Sequence, residues 1–257
     1  MPIAHEWTGE TAADGPVLVF LHEGLGSIRQ WRDFPAKLAA AAGLRGLVYD
    51  RYGYGQSDVL REPRRSVSFM HHEALVELPK LLAELKIANP ILVGHSDGAS
   101  IALIHAGAGN AVRGVVAMAP HVFIEASGLA SIRKAVEAFE GSDFREKLAR
   151  YHRDARKTFY GWADVWLDPE FKGWDIRDDY LPKIRCPVLA IQGHDDQYGS
   201  MAQLDEIQKR VRASCTLLKL AACGHAPFRD QPDRTLAAIK EFLASPAGPG
   251  SQARRAR

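Results

Sequence analysis

A serine at the end of an apolar run is the residue in this chain best placed to do chemistry. Ile91-Leu92-Val93 leads into Gly94-His95-Ser96-Asp97-Gly98, and a helix-compatible run of small and apolar residues begins at once. A chain that turns sharply from strand to helix presents a hydroxyl in this way. The two glycines leave room where a side chain would collide with the crossing backbone. A serine hydroxyl is a weak nucleophile until a base takes its proton and a third group orients that base. The chain must therefore supply an acid and a histidine on loops at the same edge. Gly193-His194-Asp195-Asp196 follows one apolar run, and Cys223-Gly224-His225-Ala226-Pro227 follows the next.

The elements that must carry these loops are legible as an alternation. Short apolar runs at Val17–Leu21, 46–50, 91–94, 112–118, 187–191 and Cys215–Leu220 read as strands. Between them, Trp31, Phe34 and Leu38 recur at helical spacing up to Gly43. Leu75, Leu78, Leu82 and Leu85 mark a second helix, which Pro79 should bend. Further helices are expected over 98–106, 200–211 and 232–243. Strand and helix in alternation predict an α/β fold, a mostly parallel sheet with helices on both faces. Such sheets place ligands at the C-terminal ends of their strands, where the loops of Ser96, Asp196 and His225 fall.

Residues 121–183 break the alternation. They hold 11 of the 22 aromatic residues, show no convincing strand, and read as short helical pieces. A helical cap over one edge of the sheet is the expectation. Most of its rings should form the cap's own core, with a minority facing a pocket below. Trp162 and Trp166 are the candidates for that minority. The domain reading is a core of residues 1–120 and 184–245, a cap of 121–183, and a frayed tail of 246–257 that carries Arg254, Arg255 and Arg257.

Five elements together resemble the α/β-hydrolase fold over about residues 14–243. They are the His22-Glu23-Gly24-Leu25-Gly26 loop, the glycine-rich turn 50–57, the elbow at Ser96, the Gly193–Asp196 turn and the Gly224-His225 loop. The resemblance implies that Ser96 is the nucleophile, His225 the general base and then acid, and Asp196 the orienting carboxylate. Asp196 is preferred to Asp195 because the family's acid commonly falls three residues after such a glycine. Asp195 then reads as a turn residue capping the next helix. Some members carry the acid after the preceding strand, but here Ala119-Pro120-His121 offers no carboxylate before Glu125.

An oxyanion hole needs two preorganised N–H donors. The amide of Asp97 is one candidate; the resemblance implies Gly24, or else Leu25, as the other. The chain departs from the family's common His-Gly pair, because position 23 is glutamate. Glu23 is expected to point away or to meet a cation, since an unpaired carboxylate beside an oxyanion would oppose it. Asp97 reads first as an acid at a helix N-terminus, worth about 0.3–1 kcal/mol there, and second as a contact for a cationic or hydrogen-bonding substrate. His95 reads as structural, and His121, just past a strand end, as a candidate substrate contact. His71-His72 reads as a solvated helix start rather than a metal site. Tyr52-Gly53-Tyr54-Gly55 lacks the spacing and lysine of a phosphate loop.

Composition narrows the partners. A net charge of +2 with scattered basic residues gives no case for nucleic acid, and no apolar run approaches membrane-spanning length. Three cysteines without metal spacing read as reduced thiols. The expected protein is cytoplasmic, a monomer or homodimer, with neither metal nor cofactor. Its expected reaction is hydrolysis of a small to medium carboxylic ester through an acyl-enzyme on Ser96. A carbon–carbon bond hydrolase of ring-cleavage products, a lactonase and a thioesterase are the nearest alternatives. A noncatalytic binding protein on the same scaffold is the alternative of a different class, and such proteins usually lose a triad residue.

Overall fold

In the computed structural model, which describes residues 2–9, 15–62, 64–245 and 248–249, the apolar runs form one seven-stranded sheet. Its strands are β1 His5–Thr8, β2 Val17–Leu21, β3 Arg45–Tyr49, β4 Ile91–His95, β5 Gly114–Met118, β6 Val188–Gly193 and β7 Cys215–Leu220. The spatial order is β1-β3-β2-β4-β5-β6-β7, with β1 antiparallel to β3 and every other pairing parallel. The helices are α1 Phe34–Ala42, α2 Phe69–His72, α3 Leu78–Glu84, α4 Asp97–Gly107, α5 Ala126–Gly141, α6 Phe144–Ala149, α7 Ala155–Leu167, α8 Ala202–Arg210, α9 Pro227–Asp230 and α10 Pro232–Ala244.

The central strands are apolar on both faces because both faces are covered. Successive side chains divide between two cores. Val19, Leu21, Leu92, Val115 and Ala117 face the side packed by α3 and α4, where they meet Leu81, Ile101 and Leu103. Leu18, Phe20, Val93, Val116 and Met118 face the opposite side, where Leu38 of α1 and Ile239 of α10 cover them. The strand order turns back on itself at β2, which lies between β3 and β4. Loops after β2 and β4 therefore leave a crevice between them, and it is here that the glycine loop and the serine elbow meet.

Two expectations need correction. The helical pieces between β5 and β6 are not short: α5 has 16 residues and α7 has 13. Their apolar positions are spaced for one-sided burial, and Phe139 of α5 stacks on Phe159 of α7 at 3.9 Å between ring centroids. β1 was not expected at all; it is four residues long and almost wholly exposed, so it carries no apolar pattern to read. A π turn over Glu73–Glu77 leads directly into α3, and Pro79 lies in the first turn of that helix. Asp195 caps no helix: α8 begins at Ala202 with Met201 at its N-cap. The arginines of the expected tail lie outside the described residues.

No helix among the described residues is long and apolar enough to cross a membrane, and no cluster of three or more His, Cys, Asp or Glu is arranged to hold a metal ion. Cys186, Cys215 and Cys223 are unpaired, and burial pushes each thiol up to about 11.

Candidate active site

The elbow is built by close approach. A Cβ at Gly98 would lie 2.1 Å from the Leu21 carbonyl oxygen, and one at Gly94 would lie 2.4 Å from the Gly98 oxygen. Only glycine lets β4, α4 and the end of β2 pack this tightly. Ser96 takes up the turn at φ 52° and ψ −120°, a strained conformation for a residue with a side chain. Its amide donates to Met118 O at 2.9 Å and its carbonyl accepts from the Ser100 amide at 3.0 Å, so both neighbours hold the strained turn in place.

Asp196 and His225 come together from the ends of β6 and β7. His225 Nδ1 lies 2.9 Å from Asp196 Oδ1 and 2.8 Å from Oδ2. The carboxylate also accepts from the Tyr198 amide at 2.8 Å and from Gln192 Nε2 at 2.6 Å. Burial alone would raise the Asp196 carboxyl; the hydrogen bond and charge of His225, with the Tyr198 amide, outweigh it and hold it below the ordinary carboxylate value. Asp196 therefore stays ionised, accepts the Nδ1–H and leaves Nε2 of His225 as the basic nitrogen. Asp195 is exposed, and its amide donates to Cys223 O.

One cavity of about 290 Å³ is lined by Ser96 and His225 together with Gly24, Asp97, His121, Trp162 and Trp166. Every residue singled out for catalysis, oxyanion binding or substrate contact lines it except Asp196, which sits behind His225. His121 packs its ring 5.0 Å from Trp166 and 6.0 Å from His225, and burial lowers it to about 4, so it is neutral. Gly24 faces Asp97 across the crevice: a Cβ there would lie 3.0 Å from Asp97 Oδ2 and 2.1 Å from Trp162 Nε1. Glycine at 24 is thus what admits the indole to the loop. Asp97 is the first residue of α4, so its N–H has no carbonyl one turn back to bond.

Asp97 lines the cavity, yet its side chain is buried. Both oxygens are buried and neither makes a hydrogen bond of good geometry. Burial raises its pKa to about 6, while Arg51, Arg65 and the nearby Trp166 indole pull it back. Sequence reasoning did not single out this group of charges behind the elbow. Arg51, in the glycine-rich turn, is fully buried, with its guanidinium donating to the carbonyls of His22 and Glu23 and lying over the Tyr54 ring. Glu73 completes it, 3.9 Å from Arg65. Glu23 does not point away from the site: its Oε2 is 2.9 Å from His95 Nδ1.

The sheet order, the elbow and the loop arrangement define one class. The model of the Alpha/beta hydrolase family matches residues 18–238, and the chain belongs to that family of hydrolase enzymes. Among characterised relatives, a proline iminopeptidase of Lactobacillus helveticus is 24% identical over 274 residues, covering 90% of each chain. Among solved structures, an alpha/beta hydrolase enzyme from a Medee basin deep-sea metagenome library superposes with a TM-score of 0.73 at 22% identity, covering 95% of this chain and 94% of that one. The enol-lactonase from Burkholderia xenovorans LB400 gives a TM-score of 0.72 at 20% identity, covering 95% and 96%. A thermophilic esterase from Thermogutta terrifontis gives 0.69 at 20%, covering 94% and 92%. At these identities the structures attest the fold alone.

Proposed function

We propose that the protein is a serine hydrolase that cleaves a small to medium carboxylic ester through an acyl-enzyme on Ser96. The observation that carries this reading is the Asp196-oriented imidazole of His225 in the same cavity as Ser96. His225 Nε2 takes the hydroxyl proton as Oγ attacks the ester carbonyl, and the developing oxyanion is received by the amides of Asp97 and Gly24. The tetrahedral adduct collapses as His225 returns the proton to the leaving alcohol. Water, deprotonated by the same nitrogen, then releases the acid and restores Ser96.

The size of the cavity suits a substrate of modest length, and its indoles suit an apolar acyl or aryl group. A peptidase reading, which the Lactobacillus helveticus relative invites, would need a carboxylate free to receive a substrate ammonium. Of the cavity's two acidic residues, Glu23 is paired with His95, whereas Asp97 is buried with neither oxygen hydrogen-bonded and is the one candidate for such a role. The apolar lining of Leu25, Ile132, Trp162 and Trp166 favours a neutral ester, with a lactone or thioester as the next choices on the same triad. Turnover of p-nitrophenyl acetate by the wild-type protein and its loss in Ser96→Ala tests the reading. Equal turnover by the two would remove it, and inert wild-type protein would favour the noncatalytic alternative.

A further inference from the structure

Three buried histidines around the site can be compared by what each ring nitrogen meets. His22 receives the Arg51 amide on Nε2 at 3.1 Å and meets Glu23 O with Nδ1 at 2.7 Å. His152 receives the Gly55 amide on Nδ1 at 2.8 Å and meets Leu25 O with Nε2 at 3.0 Å. Each ring has a backbone amide on one nitrogen and a backbone carbonyl on the other, which is what a neutral ring satisfies, and Arg51 Nη2 also lies 3.4 Å from His22 Nδ1. Burial lowers His152 to about 4 and His22 well below its ordinary value, in keeping with neutral rings.

His95 differs. Its Nδ1 faces Glu23 Oε2 at 2.9 Å and its Nε2 faces His225 O at 2.7 Å. A backbone carbonyl can only accept, so Nε2 carries a proton, and Nδ1 carries one as well when Glu23 is ionised, because a carboxylate can only accept. Burial alone would raise Glu23, but the charge and hydrogen bond of His95 reverse this and hold it well below the ordinary range. The pair is largely enclosed, with side-chain exposures of 3% for His95 and 21% for Glu23. Trp31 and Phe228 pack against the His95 ring. The other titratable groups facing it are His225, at 5.1 Å between ring centroids, and the neutral His121.

We propose that Glu23 holds His95 as an imidazolium, and that this ion pair is a positioning device fixing the His225 loop against both the glycine loop and the nucleophile strand. Three loops that the sheet alone leaves independent are tied by two hydrogen bonds. Glu23 precedes Gly24, His95 precedes Ser96, and the carbonyl engaged is that of His225 itself. This role rests on the hydrolase reading above, whereas the protonation state of His95 does not. The departure from the usual His-Gly pair at position 23 thereby acquires a use: a glutamate is needed because its partner is a cation.

The test has a spectroscopic and a kinetic arm. Protein labelled with 15N-histidine is observed at pH 8, with His95 assigned by the loss of its signals in His95→Phe. The expected result is a His95 with both nitrogens protonated, reverting to one proton in Glu23→Gln. A singly protonated His95 in the wild type overturns the proposal. In the kinetic arm, His95→Phe lowers kcat on a short ester roughly ten- to hundredfold, the scale of a small misplacement of a catalytic group, with KM held. His95→Gln, which keeps one donor, recovers part of the loss. If His95→Phe does not fold, His95→Gln against wild type gives the same comparison, and unchanged kcat in the folded variant overturns the positioning role. Labelling of wild-type Ser96 by a fluorophosphonate separates the two ideas: if it fails while His95 is doubly protonated, the hydrolase reading falls and the ion pair stands.

Discussion

His225 Nδ1 stands almost equidistant from the two oxygens of Asp196, at 2.9 and 2.8 Å, while Asp195, one residue away, is exposed. The neighbouring carboxylates are thereby separated in role. Asp196→Asn should leave the fold intact and lower kcat by about 10⁴, the scale expected when the imidazole loses the partner that fixes its tautomer. Asp195→Asn should change kcat by less than about threefold, as a surface substitution away from the reacting atoms does. Steady-state kinetics on p-nitrophenyl acetate decide this, and a larger loss at Asp195 would move the acid.

Asp97 gives a prediction about stability. Its carboxyl rises from 3.8 to about 6 in the folded protein, chiefly by burial. Between those values the folded chain holds a proton that the unfolded chain has released, so stability falls as pH rises through the window. The difference amounts to about 3 kcal/mol above pH 6. Asp97→Asn removes it. The variant should be more stable than wild type at pH 8 by up to that amount and close to it at pH 4. Urea unfolding at the two pH values checks this, and a variant less stable at pH 8 would show that the charged form is needed by Arg51 and Arg65.

Trp162 fills the space that Gly24 leaves open beside the elbow. Trp162→Ala should enlarge the acyl side of the cavity, and the ratio of kcat/KM for p-nitrophenyl hexanoate over acetate should rise. A hydrophobic pocket discriminates by roughly 1–3 kcal/mol per methylene, so a shift of tenfold or more is expected. The truncation also costs stability, up to about 3–5 kcal/mol for a large buried ring. An unchanged ratio in folded protein would place the acyl group elsewhere.

Much of this architecture is legible in the sequence because buried parallel strands are continuous apolar runs. Val17–Leu21 and the run leading into Gly94 fall where their patterns place them, and Gly94 and Gly98 announce the elbow through the steric need they answer. What escapes is whatever depends on the partner rather than on the residue. The exposed edge strand β1 is held by pairing with β3, not by its own pattern. Arg51 follows a strand in a glycine-rich turn, and nothing local says that it is buried against the carbonyls of His22 and Glu23. The length of α5 is obscured because its apolar face is narrow and the rings it meets lie on α7. His95 is the sharpest case: its identity is visible at once, but its role exists only when Glu23 and His225 O arrive from two distant loops.

The central claim is that Ser96 is a nucleophile activated by His225. Its most direct measurement is covalent labelling of the intact protein by a fluorophosphonate probe, read by mass spectrometry of the Ser96 peptide. The account predicts one equivalent of label on Ser96 in the wild type, and none in Ser96→Ala or in folded His225→Ala. Label on another residue, or undiminished labelling of Ser96 without His225, would contradict it.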